Sequence, residues 1–168
     1  ALAEMIEARD VEGVESLLNM MGSGLANASM TSNGARPLHI CAEKGLTEFL
    51  EKLVAANADL EALNGEGQPP LRTALRCAPE GISAVIKTLL DLKADPNSRS
   101  ADGRTALHAA AAAGQAGAVR ELALGGADTE LRVSAEGDSL HVLTGGDGAT
   151  ALLLACSAGE FDAVAALV

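Results

Sequence analysis

The chain repeats one turn signal. Asn33-Gly34, Glu66-Gly67, Asp102-Gly103 and Asp147-Gly148 recur, with glycines 33, 36 and 45 residues apart. Glycine reaches positive φ without a Cβ clash, so each pair marks a tight turn. The stretch from Asp102 to Asp128, DGRTALHAAAAAGQAGAVRELALGGAD, carries one complete unit, from its turn to its exit. Thr105 stands at a helix N-cap position. Leu107, Ala110 and Ala111 recur at helical spacing, and Ala109 to Ala113 combines high helix propensity with small side chains. Gly114 ends this helix. Val119, Leu122 and Ala123 form the stripe of a second one, which Gly125-Gly126 stops. Helices of about two to three turns are marginal alone in water. Each pair therefore needs a neighbouring pair on both sides, and Leu107 is expected to be almost fully buried between layers.

The segments after the turns agree with one another. RPLHICAEKG (Arg36 to Gly45), TALHAAAAAG (Thr105 to Gly114) and TALLLACSAG (Thr150 to Gly159) share one pattern. NADLEAL (Asn57 to Leu63), KADPNSR (Lys93 to Arg99) and GADTELR (Gly126 to Arg132) share another. The first set resembles the TPLHxAAxxG helix of ankyrin repeats and the second their GADVNA exit, at the ankyrin period of about 33 residues. Departures are Arg36 for the capping Thr, Arg72 and Leu153 at the His position, and three extra residues near Pro79. Lys93 replaces the Gly or Asn that stops an ankyrin helix pair.

The resemblance implies an all-α ankyrin-repeat solenoid of stacked helix pairs joined by β-turn or hairpin loops. It would form a single domain over residues 1–168. Units are expected at about 1–31, 32–64, 65–100 and 101–145, the last with an insertion at 133–146, and then a truncated unit at 146–168. Helices are expected over Ala1–Ala8, Val11–Met20, Pro37–Lys44, Thr47–Ala56, Pro70–Cys77, Ile82–Leu92, Thr150–Ser157 and Phe161–Val168. The segment from Gly22 to Ser32 reads as a loop. Leu2, Ile6, Val14, Leu17, Leu18, Leu38, Phe49, Leu50, Leu53, Val54, Val85, Ile86, Leu89 and Leu90 are the expected core. Glu4, Glu7, Glu12 and Glu15 point outward, as a terminal unit with a polar face requires. Ser139 to Leu143 alternates as a short strand or extended arm would.

Composition bounds the partners. Aromatic residues make up 1% of a chain that is 48% hydrophobic, so the core rests on Ala, Leu, Val and Ile. That suits thin stacked layers. Net charge is −11, which repels phosphate backbones and disfavours nucleic acid. No apolar run approaches the ~20 residues a membrane-spanning helix needs. No signal-peptide pattern is present, and because the chain opens with Ala1, an upstream segment is expected to be absent or removed. Three widely spaced cysteines without a CxxC give no zinc site and favour a reducing intracellular compartment, whether cytosol, nucleus or organelle interior. Cys41 and Cys156 fall at helix Ala positions and are expected to be buried. Cys77, beside Pro79, is the expected exposed thiol.

Catalysis is not expected. In the family the His of the first helix bonds the backbone of the neighbouring unit, which is the role implied for His39 and His108. GGDGAT (Gly145 to Thr150) lacks the lysine of a phosphate-binding GxxxxGK[ST] loop, and no EF-hand or HExxH spacing occurs. No cofactor is implied. The resemblance implies a non-catalytic protein–protein interaction scaffold or adaptor, part of a longer chain. The alternative is a structural subunit permanently packed into a large multiprotein assembly.

Turn tips and first helices line the family's binding groove. The residues at those positions are Ser32, Ala35, Glu43 and Lys44, then Glu66 and Gln68, then Ala101, Arg104, Ala112 and Ala113, then Asp147, Ala149 and Ser157. Two rival contact surfaces are Leu140, His141, Val142 and Leu143 in the insertion, and Phe161, Val164, Leu167 and Val168 on the last helix, whose terminal position leaves an apolar face open.

Overall fold

The structure, a computed structural model, describes residues 2–133 and 149–168. Five helix pairs succeed one another. They are α1 (Leu2–Glu7) with α2 (Val11–Met21), α4 (Pro37–Lys44) with α5 (Thr47–Ala55), and α6 (Pro70–Thr73) with α7 (Pro79–Asp91). Then come α8 (Ala106–Ala112) with α9 (Ala116–Leu124), and α10 (Ala151–Ala158) with α11 (Phe161–Leu167). The short helix α3 (Ser23–Ala26) lies between the first two pairs. The described residues contain no β-strand, only an isolated antiparallel bridge between Arg99 and Thr105.

The pairs stack as two layers. In the inner layer α4 packs on α6, α6 on α8 and α8 on α10. In the outer layer α2 packs on α5, α5 on α7, α7 on α9 and α9 on α11. The core runs between the layers without interruption through Ile6, Val14, Leu50, Leu53, Ile86, Leu89, Val119 and Leu122. Leu107 is buried as its register requires, at 1% exposure. Glu4, Glu7, Glu12 and Glu15 face solvent. Leu17, Val54, Leu90 and Ala123 are only half-buried, because each sits toward the outer edge of its helix stripe.

Two hydrogen-bond ladders join the pairs, one through backbone and one through side chains. At the turns, Gly65 N–H donates to Asn33 O (2.6 Å) and Ala101 N–H to Gly67 O (2.8 Å). Gly67 has φ +67°, and a Cβ there would lie 2.2 Å from the Ala101 Cβ, so only glycine lets these two tips close. At the exits, one polar side chain caps the next loop. Asn27 Oδ1 accepts from Asp59 N–H, Glu61 Oε1 from Asp95 N–H and Asn97 Oδ1 from Asp128 N–H, each at 2.8 Å. Each of those aspartates in turn accepts from the N–H two residues on, at Glu61, Asn97 and Glu130.

Several expectations are corrected. The segment read as a loop from Gly22 to Ser32 contains α3. The first helix of the third pair shortens to α6 plus a 3-10 turn at Ala74–Arg76, and its partner begins at Pro79 rather than Ile82. Cys77 is extended, Ala78 is kept out of the helical region by the proline that follows it, and Pro79 then takes the first helical position, where its missing N–H costs nothing. Cys77 is buried, not exposed, because its Sγ fills the space left open by the missing side chains of Gly45 and Gly81. Cys156 is exposed, not buried. It occupies the register of Ala42 and Ala111, which are fully buried under the next inner helix, and among the described residues no helix lies beyond α10. The proposed strand at Ser139–Leu143 lies outside the described residues.

Thiol chemistry is set by these placements. Burial pushes the Cys41 thiol up to about 12 and raises that of Cys77. A thiol reagent acting on native protein near neutral pH should modify Cys156 rapidly and the other two only on unfolding. Mass spectrometry of early time points checks this, and early labelling of Cys41 would show that the α4 packing is wrong.

Lys93 has φ +76°, the left-handed conformation that Asn57 (φ 63°) and Gly126 (φ 90°) adopt at the same register. A Cβ there costs on the order of 1–2 kcal/mol. Lys93→Gly should therefore raise the urea midpoint, by less than that amount because glycine gains freedom in the unfolded chain. A lowered midpoint would refute the strain at this position.

Candidate interaction surface

The turn tips are built from side chains that bond their own backbone. Asn64 Oδ1 accepts from Glu66 N–H and Gln68 N–H, both at 3.0 Å, and Asp102 Oδ1 from Arg104 N–H at 3.1 Å. Ala35 N–H donates to Thr31 Oγ1 at 3.0 Å. These bonds fix the tips before any partner arrives.

Two buried histidines tie their helices to backbone further along the chain, His39 to the next tip and His108 to the exit loop. His39 Nδ1 accepts from Arg36 N–H (3.2 Å), so its proton sits on Nε2, which donates to Gln68 O (3.0 Å). His108 Nδ1 accepts from Thr105 N–H (3.3 Å) and lies 2.7 Å from the Thr105 hydroxyl, while Nε2 donates to Leu131 O (2.9 Å). Both nitrogens of each ring are thus engaged in the neutral form, leaving none for acid–base work. The bond to the neighbouring unit implied for these residues is made by His39, while His108 bonds Leu131 at the exit of its own unit.

At the same register the third pair carries Arg72. Its Nη2 donates to Asp102 Oδ2 on the next tip at 3.3 Å, so a charged pair replaces the histidine bridge. Its Nη1 is buried without a hydrogen-bond partner. One turn on, Arg76 forms an ion pair with Glu66 through both guanidinium nitrogens. In the fifth pair Leu153 takes this position and is 57% exposed.

Of the groove candidates, Ser32, Glu43, Lys44, Glu66, Ala101, Ala113 and Ser157 are exposed, and Gln68, Arg104 and Ala112 are half-buried. Ala35 and Ala149 are buried and are corrected as contact side chains. Their carbonyls accept from Met30 N–H and Val133 N–H, turning both residues into the scaffold. Lys44 is engaged with Glu7 at 3.1 Å. Asp147 and the insertion residues Leu140, His141, Val142 and Leu143 lie outside the described residues. On the last helix Phe161 (83%) and Val168 (97%) are exposed, while Val164 and Leu167 are half-buried. Phe161 shares its register with Thr47 and Ala116, which are also accessible in pairs covered on both sides, so its exposure is a consequence of register. Motif position does not single out Arg76 or Asp102 as groove residues. Their signal is the spacing from Arg72, four residues to Arg76 and one tip onward to Asp102.

Among the described residues, no group of three or more His, Cys, Asp or Glu could hold a metal ion. No described helix is long and apolar enough to cross a membrane. A cleft of about 370 Å³ between α7 and α9 is lined by Lys87, Leu90, Asp91, Glu121, Leu124 and Gly125, on the outer layer and away from the tips.

The histidines make stability depend on pH. Burial is the main force that pushes both below the ordinary 6.5, with nearby Arg36, Arg99 and Arg104 adding to it. The unfolded chain therefore takes up protons first as pH falls, and stability present above 6.5 is lost as pH drops toward the folded values. Urea midpoints measured between about pH 7.5 and 5.5 should fall, and less steeply in His39→Gln/His108→Gln. An equal slope in that variant would show that other groups set the pH dependence.

The comparisons with known proteins agree with this architecture. A family model described as ankyrin repeats in three copies matches residues 2–100 and 75–168. The chain is 27% identical over 140 residues to an E3 ubiquitin-protein ligase, KEG, of Arabidopsis thaliana, covering 78% of this chain and 8% of that protein. It is 34% identical over 113 residues to neurogenic locus notch homolog protein 1 of Danio rerio, covering 66% of this chain and 4% of that protein. It is 34% identical over 94 residues to the inactive serine/threonine-protein kinase TEX14 of Mus musculus, covering 56% of this chain and 6% of that protein. The chain thus spans less than a tenth of the length of each of these relatives. With repeated turn, helix pair and exit loop matched along nearly its whole length, the chain belongs to the ankyrin-repeat family, whose repeats are protein–protein interaction modules.

Proposed function

We propose that this chain is a non-catalytic scaffold or adaptor whose units, at about 1–31, 32–64, 65–100, 101–145 and 146–168, present one groove to a protein partner. One observation carries the reading. The inner helices α8 and α10 offer Ala112, Ala113 and Ser157 beside preorganised tips, a floor of small side chains that a partner helix can approach closely. Preorganisation supports it further, since tips already hydrogen-bonded to their own backbone lose little freedom on binding. The small size of the floor favours a reading in which its charged rim contributes most to binding, since hot spots favour arginine over alanine.

A second reading, a brace packed permanently into an assembly, has one supporting feature. Val164 and Leu167 are half-buried where their register equivalents Val119 and Leu122 are fully buried, and Leu152 and Leu153 beside them are exposed. The two readings separate by lifetime: an adaptor exchanges its partner, and a brace does not.

The groove reading is tested with Ala101→Arg/Ala113→Arg, two substitutions at exposed positions. Proximity labelling in cells should lose its principal protein neighbours with this variant, while the thermal midpoint of the purified chain stays unchanged. Retention of every neighbour, with loss instead on the outer-layer substitution Leu124→Arg, would overturn the reading.

A further inference from the structure

The third turn tip, at Asp102-Gly103, is a cationic spot on an acidic protein. The chain carries 12 Lys and Arg against 23 Asp and Glu. At this tip the ratio reverses. Arg72 reaches the tip from α6, and Arg104 and Arg99 lie on its two flanks. The carboxylate bonded among them is Asp102.

These arginines are not equally satisfied. The Arg99 guanidinium is held by Gly103 O (2.6 Å) and Arg132 O (3.1 Å). Arg72 spends Nη2 on Asp102, while Nη1 is buried and unbonded. The Arg104 side chain has no ion-pair partner among the described residues and stands close enough to Arg72 for the two charges to repel. Repulsion between guanidiniums with a single carboxylate to share is relieved by a second carboxylate. Planar, five-donor guanidiniums are the groups best matched to one. Arg76, one turn along, is neutralised by Glu66 and also feels Glu43, so among the described residues the incompletely compensated charge lies with Arg72, Arg99 and Arg104, which have Asp102 between them.

We infer that Arg72 and Arg104, steadied by Arg99, form a carboxylate-binding spot at the rim of the groove, and that the partner meets it with an acidic peptide segment. The inference rests on the groove reading above and names the chemistry of its partner. The surplus of negative charge elsewhere makes the spot selective in position: an acidic segment is repelled by most of the surface and attracted here.

The test uses the full chain and a fluorescein-labelled decaglutamate peptide, monitored by anisotropy at about 50 mM salt, where screening is weak. Binding is expected, and Arg104→Gln should weaken it about tenfold, the scale of one charge-assisted hydrogen bond lost. Arg104→Lys should restore part of the loss, and Lys87→Gln on the outer layer should change nothing. Because Arg104 has no ion-pair partner among the described residues, its substitution is expected to leave the fold intact, which circular dichroism verifies; Arg72→Gln is the more disruptive companion. Equal decaglutamate binding by wild type and Arg104→Gln, no binding by either, or binding only of a decalysine control would each overturn the inference. The groove reading would survive those results if the Ala101→Arg/Ala113→Arg variant still lost its neighbours in cells.

Discussion

Everything in this structure depends on contact between units that are each too short to stand alone. The inner helices run seven or eight residues where they are regular, and α6 is a single turn. Such segments do not persist in water without burial of a face. Each face is completed by the next pair: Ala42 and Ala111 are fully buried only because an inner helix lies against them. Small residues are essential there because they set the spacing between layers. A chain with two phenylalanines and no Trp or Tyr can still build a core if the layers are thin, and inner helices that bury Leu38, Leu71 and Leu107 among small residues meet that condition.

The ladders at turns and exits turn this stack into a rigid body. Helix packing alone tolerates sliding. A hydrogen bond from one tip to the next does not, and neither does an exit side chain that must reach the following N–H. The histidine bridges act in the same direction, since a ring with both nitrogens engaged holds one orientation. Rigidity of the tips is therefore a property of the scaffold, already present in the free chain. The residues that provide it are largely unavailable for binding. Ala35 and Ala149 illustrate the division: they stand at positions where the family makes contacts, yet here their side chains are enclosed.

The repeat, the helix pairs and the identity of Leu107 as a core residue are legible in the sequence because period and pattern are local properties. What escapes such a reading is the dependence of a residue on its neighbour in the stack. Cys41 and Cys156 look interchangeable, yet they sit one residue apart in register, Cys41 matching Ala110 and Ala155, and Cys156 matching Ala42 and Ala111. The second register is buried only from outside its own pair. Cys77 misleads for the same reason, since the space that receives it is defined by the absence of side chains at Gly45 and Gly81. The exit ladder is visible in principle, because its partners lie 31, 32 and 34 residues apart, close to the repeat period. It escapes notice because a polar residue in a loop reads as solvated unless its partner is known. Of the candidate surface, the sequence locates the tips and the floor. It does not show which arginines are already spent.

That last distinction is the one on which the proposed recognition rests. A charge that is paired within the scaffold contributes to stability and presents little to a partner, and Arg76 with Glu66 is of this kind. A charge that the scaffold positions but does not neutralise is available to bind, and a rigid support makes it more effective, because little ordering remains to be done when the partner arrives. Arg104 is held in place through its backbone by Asp102 while its side chain is left without a counter-ion among the described residues. The substitution of His by Arg at position 72 changes the same corner twice: it moves the inter-unit link from a neutral ring onto Asp102, and it leaves a guanidinium nitrogen unbonded beside Arg104. A departure from the repeat pattern at one inner-helix position thus alters the electrostatics of the next tip. In a repeat fold, individuality of this kind arises where a consensus link is replaced by one that is incompletely satisfied.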